Sequence, residues 1–252
     1  TPERALYRTA LESGVAPPRC RPAATPRGCS PVAPCVLHCA DALTPGHPVC
    51  AQRSVRAGAS LYQQGGLALH VFAVRSGAFK STLTLSDGRG QVCGFHMKGD
   101  VIALEGIGHR AHACSMTALE DAEVCVMAFR SMVHLAQQDP PLLVLLSQIM
   151  SRDLAHSHKT RMLLGHSLAQ ERLAVFLLEL SRRFNDPDGV DSDFHLSMTR
   201  AEIASFLGLS LETVSRNFTA LQRSGQLRID QRRVHIPDLV DFTRRYGALL
   251  PD

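Results

Sequence analysis

The chain has no apolar run long enough to cross a bilayer, and its mean hydropathy is −0.01, which argues against a membrane span. Residues 1–27 also lack the apolar core of a signal peptide, which leads us to expect a cytoplasmic protein rather than an exported one. Short catalytic signatures are missing too. There is no His-Glu-x-x-His, no glycine-rich phosphate loop and no Gly-x-Ser-x-Gly elbow. A cytosolic metalloenzyme built on the cysteines and the twelve histidines would therefore have no supporting constellation. The net charge of +4 and pI near 8.7 fit nucleic-acid binding, but many cytosolic enzymes share them, so charge decides little. At 252 residues the chain is long for one compact core and comfortable for two domains.

What is present begins with eight cysteines, five of them at Cys20, Cys29, Cys35, Cys39 and Cys50 and the rest at Cys93, Cys114 and Cys125. Without an export signal these read as thiols, metal ligands or redox sensors rather than a disulfide framework. Residues 1–50 form a Cys-rich arm, in which PPRCRPAATPRGCSPVAPCVLHC shows neither helical nor strand periodicity. Such a segment cannot hold its shape through an apolar core. Gathered thiolates on an iron-sulfur cluster or zinc could shape it, and the other reading is a disordered arm with incidental cysteines.

Residues 51–139 change to short β-prone runs cut by glycines. Val71 to Val74 lead to Ser76-Gly77, Phe79 to Leu85 to Asp87-Gly88, and Val92 to His96 to Gly99-Asp100. Asp-Gly between two such runs predicts antiparallel hairpins in a β-roll or barrel. His109, His112 and Cys114 are taken as loop or core residues rather than a metal site.

Pro140-Pro141 opens a long helix over 140–166, since proline suits a first helical turn. One apolar stripe carries Leu143, Met150, Leu154 and Leu164, interrupted by Ser147, Ser157 and Arg161, while Leu142, Leu146 and Ile149 form a second face. A helix with two apolar faces must bury both. We expect one against its own domain and one against a second copy, so Leu143, Met150, Leu154, Ser157, Arg161 and Leu164 are the candidate dimer seam; a wholly internal helix is the alternative.

Residues 167–240 hold an amphipathic helix through Leu173, Phe176, Leu177 and Leu180, then the breaker run 185–189, then Met198 to Gly225. In that last stretch Thr199 and Glu202 have the spacing of a capping box, Gly208 sits where a first helix must stop, Ser210 can cap a second, and Gly225 closes it. This is the grammar of a helix-turn-helix. The second helix places Glu212, Thr213, Ser215, Arg216 and Asn217 on or near its outer side, where arginine can fork onto guanine and a carboxylate can accept from cytosine. Thr199 and Arg200, opening the first helix, join the candidate DNA contacts. Leu227 to Ile229 and Val234 to Ile236 suggest a hairpin wing with Arg232 and Arg233 at its tip, in reach of phosphate. Residues 241–252 are expected to be a C-terminal tail.

This order of parts, an α+β chain with an N-terminal antiparallel β-roll of the cyclic-nucleotide-binding kind, a long dimerisation helix and a C-terminal winged helix-turn-helix, resembles the CRP/FNR family of bacterial transcription regulators. The similarity is greatest to its oxygen-sensing branch, the fumarate and nitrate reduction regulators. It runs from about Val74 to Val234 and is carried by VRSGAFKS, GFHMKGDVIALEGIG, EVCVMAF, QERLAVFLLELSRRF and LSMTRAEIASFLGLSLETVSRNF.

The resemblance implies that Glu212, Ser215 and Arg216, matching E-x-x-S-R, read a palindrome in double-stranded DNA with TTGAT-like half-sites. It implies a homodimer, and RNA polymerase as a partner through loops that carry no chemical signature. It also implies that Cys125 is the one ligand of a [4Fe-4S] cluster supplied by the β-roll, with three more from the arm in a C-x2-C-x5-C run. Here Cys29 and Cys35 reproduce the C-x5-C half, but Pro26 stands where its partner would be. A cubane cluster needs four donors, and Cys20 can be brought in at little extra loop cost, so Cys20, Cys29, Cys35 and Cys125 are the expected set, with Cys39 and Cys50 as substitutes. Without a cluster, the same thiols could sense redox poise by disulfide exchange, or the regulator could be constitutive. Cyclic-AMP-binding relatives carry an arginine-serine pair in the roll. This chain has Arg110-Ala111 there and Glu105 near it, so no cyclic nucleotide is expected. Oxygen-sensing relatives tend to carry a repelling carboxylate where Ser157 falls, so pairing here is expected to depend less on the cluster.

Overall fold

The glycine-punctuated runs form eight strands in the computed structural model: β1 Ala51–Val55, β2 Ser60–Tyr62, β3 His70–Ser76, β4 Ala78–Thr84, β5 Gly90–Met97, β6 Val101–Ile102, β7 Ser115–Ala118 and β8 Ala122–Ala128. The structure describes residues 51–138, 140–184 and 193–249. Cys20, Cys29, Cys35, Cys39 and Cys50, with the rest of the arm, lie outside the described residues, as does the breaker run 185–189. Two four-stranded antiparallel sheets, ordered β1-β8-β3-β6 and β2-β7-β4-β5, share a core of Val55, Leu61, Phe72, Phe79, Met116 and Val124. Gly77, at φ +78° in the turn between β3 and β4, has no space for a side chain, because a Cβ there would meet Ala122 Cβ at 2.6 Å and Asp121 O at 2.8 Å.

The roll passes into α1, Phe129–Gln138, and then into α2, Pro140–His166, a helix of 27 residues. Leu142 and Leu146 of α2 are buried against Met132 and Leu135 of α1 and against Val71 and Met127 of the sheet. The opposite side is uncovered, with Leu143, Val144, Met150, Leu154 and Met162 each 51–58% exposed.

The C-terminal part comprises α3 Ala169–Phe184, β9 Asp193–His195, α4 Arg200–Leu207, α5 Leu211–Arg223, β10 Arg228–Asp230, β11 Arg233–His235 and α6 Leu239–Tyr246. The expected wing hairpin is present as β10 and β11, and β9 adds a third strand in the order β10-β11-β9, because Phe194 pairs with Val234 and is buried with it. One boundary needs correction. The expected tail from 241 begins inside α6. Asp238 Oδ1 caps that helix by accepting from Asp241 N at 2.8 Å, and Phe242 and Tyr246, four residues apart on one face, are buried. Tyr246 also donates its hydroxyl to Gln226 Oε1 at 2.9 Å, which ties α6 to the end of the helix-turn-helix.

Candidate nucleic-acid interface

The helix-turn-helix is built by local chemistry that the sequence spells out. Thr199 is extended, at φ −76° and ψ 160°, and its Oγ1 accepts from Glu202 N at 3.2 Å while Thr199 N donates to Glu202 Oε2 at 2.7 Å, a complete capping box. Gly208 ends α4 in the left-handed conformation at φ 63°, and Ser210 Oγ starts α5 by accepting from Thr213 N at 3.1 Å. Ser210→Ala should lower stability by about 1 kcal/mol, seen as an earlier midpoint in urea unfolding. Ile203 and Leu207 of α4 and Val214, Phe218 and Leu221 of α5 are buried in one core, so the two helices are locked together and α5 keeps one face outward.

On that face the Glu212 and Arg216 side chains are 79% and 69% exposed, and their ion pair spans 3.9 Å. A pair this exposed contributes little, so either partner can exchange the other for a base edge without large loss. Thr213 and Ser215 are half-buried beside them, and Thr213 Oγ1 accepts from Arg216 Nη2 at 3.5 Å. Asn217 does not belong to this face: it is half-buried, with its amide nitrogen buried and without a hydrogen bond, because the helical turn carries it toward α5's inner side beside Phe218.

Thr199 and Arg200 are both exposed at the start of α4, Thr199 occupied in the cap and Arg200 stacked over the Phe218 ring at 5.2 Å. They border a cleft of about 230 Å³ between α4, α5 and the wing, closed on its other side by Ile229, Gln231 and Arg232. Arg232 reaches back to Ser197 O at 3.5 Å, and Arg233 pairs with Asp193 at 3.2 Å while remaining 68% exposed. Gln231, in the left-handed region at φ 51°, lies in the turn between β10 and β11.

The other expected residues fall in two further places. Along α2, Leu143, Met150, Leu154, Ser157 and Arg161 are exposed, whereas Leu164 is half-buried and its neighbour Leu163 joins the C-terminal core. In the roll, Cys125 lies on β8 between Gln52 of β1 and Ala73 of β3, half-buried and packed on the cluster that contains Leu142 and Leu146. His112 is a core residue, its ring stacked on Tyr62 at 3.7 Å with Nδ1 3.7 Å from Glu105; His109 is exposed. Burial pushes the Cys114 thiol up to about 12, reinforced by Glu105, so it stays protonated. No three potential metal ligands gather among the described residues. Arg110 is exposed and left-handed at φ 57°.

Sequence reading missed a set of residues that joins the two halves. Alternate positions of β4 and β5, namely Ala78, Val92, Phe95 and Met97, turn away from the roll and are buried in the same core as α3, α4 and α5. The signal was present as Phe95 and Met97, apolar at period two on a strand face that a free-standing roll would give to solvent.

Known proteins share this arrangement. The Crp-like helix-turn-helix domain family matches residues 171–244 and the cyclic nucleotide-binding domain family residues 52–139. The transcriptional regulatory protein btr of Bordetella pertussis is 38% identical over 193 residues, covering 77% of this chain and 80% of its own length. The chain belongs to the CRP/FNR family. Within that family the fumarate and nitrate reduction regulatory protein of Escherichia coli is 33% identical over 185 residues, 73% of this chain and 74% of its own. The solved structure of FixK2 from Bradyrhizobium japonicum superposes with a TM-score of 0.72 at 32% identity, covering 81% of this chain and 98% of that one. This CRP/FNR protein is thus a DNA-binding transcription regulator and not an enzyme, and among its described residues no helix is long and apolar enough to cross a membrane.

Proposed function

We propose that this CRP/FNR protein acts as a dimer that reads a palindrome with TTGAT-like half-sites and responds to oxygen or redox state. The observation that carries the reading is α5: it is capped, buries Val214, Phe218 and Leu221 in the core, and leaves Glu212 and Arg216 exposed in its first two turns. Ser215 and Thr213 sit beside them, while Thr199, Arg200 and Arg232 line the cleft between α4 and the wing and are the proposed phosphate contacts. Similarity to the transcriptional activator protein anr of Pseudomonas aeruginosa, 36% identical over 198 residues, and to the fumarate and nitrate reduction regulators supports assignment to the oxygen-responsive branch.

The sensing proposal rests on Cys125 with Cys20, Cys29 and Cys35. Cys125 suits the ligand role because β1, the strand into which the arm runs, pairs Gln52 with it, so the arm joins the roll beside this thiol. A [4Fe-4S] cluster held by these four residues would supply oxygen-labile iron–sulfur bonds. Cys125 in turn packs on the apolar cluster that also holds Leu142 and Leu146 at the root of α2, which gives a cluster at this thiol a packed route to the pose of α2. Ordering the arm favours pairing along Leu143, Met150 and Leu154, and pairing sets two copies of α5 one DNA turn apart. RNA polymerase is the protein partner in this proposal. A cyclic nucleotide is not its ligand, because the Glu105 carboxylate beside Tyr62, His112 and Cys114 would oppose a phosphate.

Iron and acid-labile sulfide analysis of anaerobically purified protein tests the sensor. We expect about four of each per chain, with visible absorbance that bleaches in air, and loss of both in Cys125→Ser. Colourless, iron-free protein prepared without oxygen would overturn the cluster and leave thiol exchange as the redox reading.

A further inference from the structure

The hairpin of β4 and β5 has two working faces. Phe79 points into the roll core, while Ala78, Lys80, Phe95 and Met97 on the other side meet the DNA-binding half of the same chain. Three rings close this junction, Phe95 of the roll, Phe176 of α3 and Phe206 of α4, with centroids 5.4–5.8 Å apart.

Polar contacts fix its register. Lys80 Nζ pairs with Glu202 Oε1 at 2.7 Å, with the two side chains only 25% and 18% exposed, and Glu202 is the residue that completes the α4 capping box. Burial alone would raise the Glu202 carboxyl, but hydrogen bonds from Lys80 and Thr199 hold it below the usual carboxylate range. The strand register skips at Cys93, since Ser81 faces Gly94 and Thr82 faces Val92, a bulge. The Val92 N–H then donates to Ser205 Oγ of α4 at 2.9 Å. At the far end Arg183 of α3 grips both Asp100 oxygens at 2.8 Å and donates to Phe95 O at 3.1 Å.

We propose that Lys80 and Ser205 are positioning residues for DNA reading: through α4 they fix the angle of α5 relative to α2, and so set the half-site spacing that a dimer accepts. Neither touches DNA. This rests on the reading that paired copies of α5 bind a palindrome. Its consequence is selectivity for spacer length, built into the seam between the roll and α4 rather than into any base contact. With the apolar junction at its centre, the seam makes the roll and the helix-turn-helix one cooperative unit.

The test compares the unaltered protein with Lys80→Met/Ser205→Ala and with Lys80→Arg on duplexes carrying the palindrome at its native spacing, at one base pair more or less, and as a lone half-site. For the double variant we expect affinity at native spacing to fall about tenfold, the preference for native spacing to flatten, and half-site affinity to stay unchanged. Lys80→Arg, which keeps the charge, should retain the spacing preference. An unchanged spacing profile in the double variant would overturn the proposal, and so would an equal loss on half-site and palindrome, which indicates general damage to α4. Thermal unfolding tests the seam without DNA. One transition is expected in the unaltered protein, with a lower midpoint in the double variant, and two transitions in the unaltered protein would also overturn it. A single transition together with no preference for the palindrome over scrambled DNA would refute base reading while leaving the seam intact.

Discussion

Leu154→Glu should leave the protein folded and remove its high-affinity binding to a full palindrome. Leu154 is 58% exposed in the single chain, so a carboxylate there meets water and costs little. In a dimer paired along α2, two such carboxylates would face each other across an apolar seam, where burying unpaired charge costs several kcal/mol. Losing the second half-site removes avidity of about a hundred- to ten-thousandfold. Sedimentation should show a monomer, and titration should show palindrome affinity reduced to that of a half-site. Leu142→Ala separates the two faces of α2: Leu142 is 5% exposed and packs on α1, so its loss should destabilise the fold itself by about 2–5 kcal/mol.

Arg216→Ala should weaken specific binding by about 1–3 kcal/mol and relax the base preference at the position it reads. The side chain is 69% exposed and its partner Glu212 is 79% exposed, so the fold has almost nothing to lose, and unfolding midpoints should be unchanged. The loss is measured as the difference between palindromic and scrambled duplexes at fixed salt. An equal loss on both would make Arg216 a phosphate contact and move base reading to Glu212 and Ser215.

The elements that the sequence displayed clearly were those governed by local chemistry. The Thr199 to Glu202 capping box, the left-handed Gly208 and the Ser210 cap each depend on neighbours within a few residues, and spacing alone reveals them. The two faces of α2 were legible for the same reason, as interleaved helical stripes of which Leu142 and Leu146 are covered and Leu143, Met150 and Leu154 are not.

What was not legible depends on contacts distant in sequence. The strand at Phe194 is three residues long and exists only because Val234, forty residues on, pairs with it. Lys80 and Glu202 are 122 residues apart, and no local pattern links them. The helix at Leu239–Tyr246 was hidden by brevity, its two buried residues, Phe242 and Tyr246, being too few to show a period. Asn217 was misplaced because neighbours on a helix differ by about 100° in direction, and a polar residue one step past Arg216 had already turned inward.

The most direct measurement of the central claim is an anisotropy titration of anaerobically prepared protein against a duplex carrying two TTGAT-type half-sites and against the same bases scrambled, at one salt concentration. The palindrome is expected to bind at least about a thousandfold more tightly. Equal affinity for the two duplexes would contradict it.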